Sequence, residues 1–498
     1  MTAAFSTPAI DYHAVAPELV LFGVVIALLL VDLLADERTV WATSSIAGLG
    51  LLGALVPVLT LAVDGEERVM FGGAYVADDF ALVMKALLLL AGYVTVLVST
   101  HYVREGDFYE GEYYFLLLSS LLGMILMASA RDLISIFVAL ELLSIPAYLL
   151  AGWRKRDLKG NEASMKYYLM GVFASAVMLY GMSLVFGVTG TTILAEIGDV
   201  LRGSVGEEPA VTLGIVFVLV GFAFKVSAVP FHTWAPDTYE GAPTPITAFL
   251  SVASKTAGFV AILELVFIGF LGRDDVWGPM MWALAAITMT VGNLIALRQT
   301  NIVRLLAYSS VAQAGFMLVP VAVAGDAGAE SALSSVVVYL LIYAAMNLGA
   351  FAVVMAVARK TRSGEISSYG GLFEYAPGLT VVMSIFLFSL AGIPPLAGWF
   401  AKFVVFKAVL DAGTASAVTL GVIAAVNSVI ALFYYASVAR QMWMSPVPDD
   451  DRSPITVPAP LTAALALTAA VTLVVGVIPN VVARFGDIAV FGSRLAGG

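Results

Sequence analysis

The sequence predicts an all-α polytopic membrane protein: about fourteen transmembrane helices in a five-plus-five inverted repeat, with helices 7 and 12 broken. Three observations carry this expectation. Hydrophobic residues fill 60% of the 498 positions and charged residues only 12%, about half the charged share of a soluble chain. The mean hydropathy is +0.96, which leaves too little polar surface to coat a soluble globule. Apolar runs of about twenty residues, the length a hydrocarbon core of about 30 Å asks of a helix, recur along the whole chain.

In order, the runs lie near 17–35, 40–63, 77–100, 112–129, 132–152, 163–188, 210–230, 244–271, 278–297, 301–323, 331–358, 377–410, 414–443 and 459–480. Acidic and neutral residues precede the first run, and no basic segment does, so it reads as a membrane span rather than a cleaved signal. No soluble domain is expected. Residues 1–498 form one membrane domain: helices 1–3 over 1–105, a first repeat of helices 4–8 over 106–272, a second of helices 9–13 over 273–444, and helix 14 over 445–498.

Loop cations set the orientation. With the N-terminus outside, the cytoplasmic loops hold thirteen: Arg38, Arg104, Arg154, Lys155, Arg156, Lys159, Arg298, Arg304, Arg359, Lys360, Arg362, Arg440 and Arg452. The opposite side holds six, Arg68, Arg131, Arg202, Arg273, Arg484 and Arg494. This predicts both termini on the outer side.

Composition also excludes chemistry. Cysteine is absent, which removes disulfides, thiolate metal sites and cysteine nucleophiles. Only His13, His101 and His232 are present, and the net charge of −11 carries no basic stripe for nucleic acid. Glycine loops for phosphate, dinucleotide fingerprints and HExxH do not occur in a credible context. No metal or cofactor is expected in this chain.

Six lysines remain outside the loops: Lys85, Lys166, Lys225, Lys255, Lys402 and Lys407. A lysine near a helix centre costs about 2.5–3.5 kcal/mol on insertion scales. Lys166 starts its helix and Lys407 ends one, so both reach the interface by snorkelling. Lys85, some eight residues into its run, is open to either reading. Lys225 is followed by Pro230, Pro236, Pro243 and Pro245, which cannot continue a regular helix. Irregular backbone at membrane depth is tolerated only inside protein or beside a wet cavity.

Lys402 repeats this pattern after Gly392, Pro394, Pro395 and Gly398. Broken helices in matching halves are a transporter device. Spans 4–8 and 9–13 each have the break at position four, and an odd repeat length forces the two copies into opposite orientation. Lys255 is about a dozen residues into span eight, among Ser251, Ser254 and Thr256, with Glu264 nine residues on as an exit group or an outer-leaflet pair. Glu141 sits near the middle of span five, where a carboxylate needs a cation or a proton, and Lys225 is its expected partner. Asp32 reads as a solvated edge residue.

Buried lysines in series with one carboxylate are proton-relay chemistry. A free lysine, with a pKa near 10.4, exchanges nothing useful at neutral pH, but burial and a movable carboxylate tune it in opposite directions. The driving force must come from elsewhere.

At these residues the sequence resembles the antiporter-like membrane subunits of respiratory complex I (type I NADH-quinone oxidoreductase), which are related to Mrp-type sodium/proton antiporter subunits. The carrying motifs are LELLSIPAYLLAG around Glu141, KVSAVPFHTWAPDTYEGAPTPITAFLSVASKTAGF across Lys225 and Lys255, and GIPPLAGWFAKF around Lys402. They set the chain apart from subunits L and M, which usually carry a histidine-containing stretch where this chain has Lys255; subunit M also has glutamate where this chain has Lys402. Ser254 replaces a frequent family proline, a departure expected to straighten the helix locally.

The resemblance implies a proton relay of Glu141, Lys225, Lys255 and Lys402, with Lys166 and His232 as accessory candidates. It implies quinone, FMN and iron–sulfur clusters in partner subunits, and contacts with subunit M and small subunits such as K and J in a bacterial inner membrane. A stand-alone cation/proton exchanger of the Mrp type and a purely structural spacer are the competing classes.

Overall fold

The computed structural model describes residues 10–34, 40–106 and 110–491. Arg38 and Arg494 of the loop count, with both chain ends, lie outside the described residues. The chain opens with α1 (Ala16–Leu34) and α2 (Val40–Asp64). A short antiparallel hairpin follows, β1 (Arg68–Met70) with β2 (Tyr75–Ala77), Arg68 opposite Ala77. Then come α3 (Asp79–Glu105), α4 (Glu110–Met127), α5 (Leu133–Ala151), α6 (Leu158–Thr189) and the short α7 (Leu194–Leu201). The seventh expected span is α8 (Pro209–Lys225) plus α9 (Trp234–Gly241), and the eighth is α10 (Thr244–Gly269).

The second half holds α11 (Asp274–Ala296), α12 (Ile302–Ala322) and α13 (Ala329–Thr361). The twelfth expected span is α14 (Pro377–Ala391) plus α15 (Ala397–Ala412), followed by α16 (Ala415–Met444), α17 (Ala459–Val477) and α18 (Asn480–Ile488). Among the described residues twelve helices are long and apolar enough to cross a membrane. The two interrupted spans stand outside that number, at the places the prolines mark.

Local chemistry sets the helix ends. Side chains of Asp78, Asp132, Asp157, Asn301 and Thr414 accept hydrogen bonds from first-turn amides of the helices they precede. Pro209 and Pro377 occupy first-turn positions of α8 and α14, where a missing N–H costs nothing. Gly392 ends α14 with φ 92°, a left-handed backbone that disfavours a side chain.

The repeat is visible in matched details. Asp132 caps α5 and pairs with Ile193 just after α6, while Asn301 caps α12 and pairs with Glu365 just after α13. The third helices, α6 and α13, run 32 and 33 residues and both end on a left-handed residue, Gly190 and Arg362. Gly123 lets α4 touch α5, where a Cβ would lie 2.5 Å from Leu143 N; Gly292 lets α11 touch α12, where it would lie 2.8 Å from Ala312 N. Gly123 and Gly292, Asp132 and Asn301, and Leu143 and Ala312 are each 169 positions apart.

α10 is buried along nearly its whole length and α13 along most of it, whereas α1, α2, α6 and α16 turn apolar side chains outward. The chain-wide core therefore gathers around α10, α12 and α13. α10 is not uniform: Leu250–Ser254 and Leu265–Gly269 are π-helical turns. The expected straightening at Ser254 is thus corrected: the helix widens by a π turn there. The hairpin and the amphipathic α7 and α18 carry no span-length apolar run, so hydropathy passed over them.

Candidate functional site

Lys225 is the last residue of α8, 3% exposed. Its Nζ donates to Ser144 Oγ at 2.9 Å and to Tyr167 OH at 3.3 Å. Tyr167 stacks on Trp234 (centroids 4.4 Å apart), and Trp234 Nε1 donates to the Phe224 carbonyl at 3.0 Å. The break is thereby pinned beside the lysine by its own aromatic residues.

Glu141 does not pair directly with Lys225, which corrects that expectation. The carboxylate is half-buried and accepts from Ser175 Oγ at 2.6 Å. Glu141 and Ser144 lie three residues apart on one face of α5, so the serine that holds Lys225 stands next to the carboxylate. No ion pair closes between Glu141 and Lys225.

Lys255 is 1% exposed and donates to the Ser310 carbonyl at 2.5 Å and to Ser310 Oγ at 2.6 Å. Tyr343 OH donates to the same Oγ at 2.8 Å. Gly258, one turn on, packs against Val226 and the Lys225 stem, where a Cβ would lie 2.9 Å from Val226 Cγ1 and 3.2 Å from Lys225 Cγ. Ser254 Oγ, buried one position before Lys255, has no hydrogen-bond partner among the described residues, so one open link separates the Lys225 group from Lys255.

From Ser310 the polar groups follow α12. Ser309 Oγ meets Tyr435 OH, Gln313 Nε2 donates to Tyr435 OH at 3.3 Å and to the Leu390 carbonyl at 3.0 Å, and Tyr339 OH donates to Gln313. The adjacent Ala391 carbonyl accepts from Lys402 Nζ at 2.7 Å, with the Phe316 ring 4.9 Å from the ammonium. Gly392 leaves room for this lysine, since a Cβ there would lie 2.7 Å from Lys402 Cδ. Among the described residues, no carboxylate lies within 4 Å of the amino nitrogen of Lys225, Lys255 or Lys402; their partners are hydroxyls and carbonyls.

The 169-residue offset gives this arrangement a logic. It maps Glu141 onto Ser310 and Ser144 onto Gln313. In the first repeat these positions serve the break at Lys225; in the second they serve Lys255 and the break beside Lys402. Sequence reading found the lysines but not these partners, whose signal was the offset itself.

Other candidates resolve differently. Lys166 is half-exposed and bonds Asp237 at 2.7 Å and Glu162 at 2.6 Å; Arg304 joins through Asp237 and Glu240, each at 2.9 Å. Asp237 and Glu240 were missed, and Arg304 was read as a loop cation. His232 is buried in the break, 6.3 Å from the Tyr308 ring centroid. Lys407 pairs with Asp411 at an exposed helix end.

Lys85 does not snorkel: it is fully buried, 2.7 Å from Glu18 and 2.9 Å from Tyr75 OH. Arg131 and Arg273, counted as loop cations, are buried. Arg131 bonds Asp78 and Glu264; Arg273 bonds Asp275, Thr212 and the Gly206 carbonyl. Their nearness to the ends of apolar runs concealed this.

The fold and its buried lysine series define an antiporter-like membrane subunit. The family described as NADH:quinone oxidoreductase/Mrp antiporter, transmembrane, matches residues 130–428, and this chain belongs to it. The chain is 40% identical to NADH-quinone oxidoreductase subunit N of Trichlorobacter lovleyi over 97% of each protein. It is 41% identical to NAD(P)H-quinone oxidoreductase subunit 2 of a Synechocystis species over 86% of this chain and 81% of that one. Among solved structures, a chain of respiratory complex I from Thermus thermophilus superposes with a TM-score of 0.78 at 32% identity, covering 94% of this chain and 98% of that one. The Mrp complex of a Dietzia species shares the fold, with a TM-score of 0.85 at 22% identity over 96% and 97% of the two chains.

Proposed function

We propose that the chain is a proton-translocating subunit of a proton-pumping NADH:quinone oxidoreductase, moving protons along Glu141, Lys225, Lys255 and Lys402 while quinone is reduced in neighbouring subunits. One observation carries the reading: among the described residues three buried lysines are held only by neutral oxygens, in a series with one open link between Tyr167 and Lys255, and Gln313 reaches the Leu390 carbonyl next to the one that holds Lys402. A structural lysine at such depth is expected to hold a counter-ion, as Lys85 does.

Ser144 receives a proton of the Lys225 ammonium in a hydrogen bond and lies next to Glu141, so a shift of the carboxylate toward or away from it loads or unloads the lysine. Lys255 takes the proton at the centre and passes it through the Ser310 hydroxyl. Lys402 holds it at the second break. Lys166 and His232 are accessory, the first at the charged cluster where α6 begins and the second in the first break. Redox groups (quinone, FMN and iron–sulfur clusters) belong to partner subunits.

In this reading the chain lies in a bacterial inner membrane with both termini outside, beside subunit M and small subunits such as K and J. The domain boundaries near 105, 272 and 444 belong to the same reading; the matched caps and bridges support the repeat itself. The Mrp exchanger is the weaker alternative, because likeness to the Mrp complex reaches the fold only. Lys225→Ala in the assembled enzyme is expected to lower the proton-to-electron ratio while quinone reduction continues; an unchanged ratio overturns the assignment.

A further inference from the structure

At the far end of α10 from the Lys166–Asp237 cluster, five charged side chains are buried together outside the lysine axis. Arg131 Nη1 donates to Glu264 Oε1 at 2.5 Å, and Nη2 to Asp78 Oδ2 at 2.9 Å. Two turns along α3 from Asp78, Lys85 holds Glu18. None of the five is more than 6% exposed. The backbone of Arg131 is fixed by Ala74 on the hairpin and by Leu194 at the start of α7, and its guanidinium lies 5.3 Å from the centroid of the Phe491 ring.

The charges do not balance. Among the described residues three carboxylates face two cations, and no neighbour supplies a third cation. Asp132 caps α5 through Ser135, Asp79 is exposed, and Tyr75 accepts from Lys85 and donates to the Ala14 carbonyl. A net charge shut away from water is costly, and a proton removes it. Asp78 uses one oxygen on the Ala81 amide and the other on Arg131, and Glu18 faces Lys85. Glu264 is fully buried, and among the described residues its Oε2 has no hydrogen-bond partner; the Glu18 oxygens lack one too, but Glu18 alone of the carboxylates faces the Lys85 ammonium, at 2.7 Å, whereas Glu264 shares Arg131 with Asp78. It also borders the second π turn of α10, a helix irregularity frequent at functional sites.

We propose that this cluster is a second proton-binding site, holding one exchangeable proton on the Glu264 carboxyl. The site stands whether or not the lysine axis carries protons, because its charge count involves none of those lysines.

Infrared difference spectroscopy on the assembled enzyme at neutral pH tests it. The carbonyl stretch of one protonated carboxyl, shifted by deuterium exchange, is expected in the wild type and absent in Glu264→Gln. Glu264→Asp keeps a displaced band. Asp78→Asn is the discriminating variant: with two carboxylates left for two cations, Glu264 ionises and the band disappears although its carboxyl remains. Glu18→Gln does the same from the other side should Asp78→Asn fail to assemble. A Glu264→Gln spectrum equal to wild type, or a band that survives the charge-balancing variant, overturns the proposal.

Discussion

Two kinds of buried lysine coexist in this chain, and their partners separate them. Lys85 meets a carboxylate, Glu18, and is locked as an ion pair. Lys225 meets a hydroxyl and a phenol. Removing one member of a buried pair leaves an uncompensated charge and costs about 3–5 kcal/mol. Lys85→Met is therefore expected to lower thermal stability of the assembled enzyme sharply, while the double variant with Glu18→Leu recovers most of it; thermal unfolding of both checks this. Ser144→Ala leaves a buried donor short of one partner, about 1–3 kcal/mol, so it should weaken pumping more than folding. A proton-to-electron ratio that falls in Ser144→Ala and returns in Ser144→Thr is the expected pattern. The four relay candidates were legible because each is a charge at the wrong depth. Glu18, Asp78 and Arg131 were not, because near the end of an apolar run a solvated charge and a buried one look alike.

At the scale of elements, spans were read from run length and breaks from proline, since both are properties of contiguous sequence. The π turns of α10 were not legible, because no residue type encodes them. Close helix approach is testable. Gly123 faces the α5 backbone, with a Cβ only 2.5 Å from Leu143 N and 2.8 Å from Ala139 O. Gly123→Leu must push α4 off α5, carrying Glu141 and Ser144 away from Lys225. Expression should show poor assembly, with quinone reductase activity lost from the membranes. Gly187, in the last turn of α6, has nothing within 4 Å of a new Cβ. Gly187→Ala is expected to be neutral or stabilising by up to about 1 kcal/mol, and reduced assembly of this variant would show that α6 is packed differently.

For the whole molecule, the question is what joins the two repeats. Sequence arithmetic anticipated two inverted copies but could not place their junction, because contacts between α10 and α12 leave no trace in linear spacing. The junction is Ser310, the counterpart of Glu141, which accepts from Lys255 of the first repeat. Its helix then presents Gln313 to the α14 break and Phe316 to Lys402. Ser310→Ala removes the hydroxyl and leaves the carbonyl that also holds Lys255, so the lysine stays placed while the link onward is cut. If protons pass from Lys255 to Lys402 by this link, Ser310→Ala and Lys402→Ala interrupt one route. The double variant then lowers the proton-to-electron ratio no further than the stronger single variant, a non-additivity expected of residues in one network. Separate routes in the two repeats would make the losses add, and proton-to-electron ratios for the three variants in one membrane preparation decide between a continuous axis and two independent half-channels.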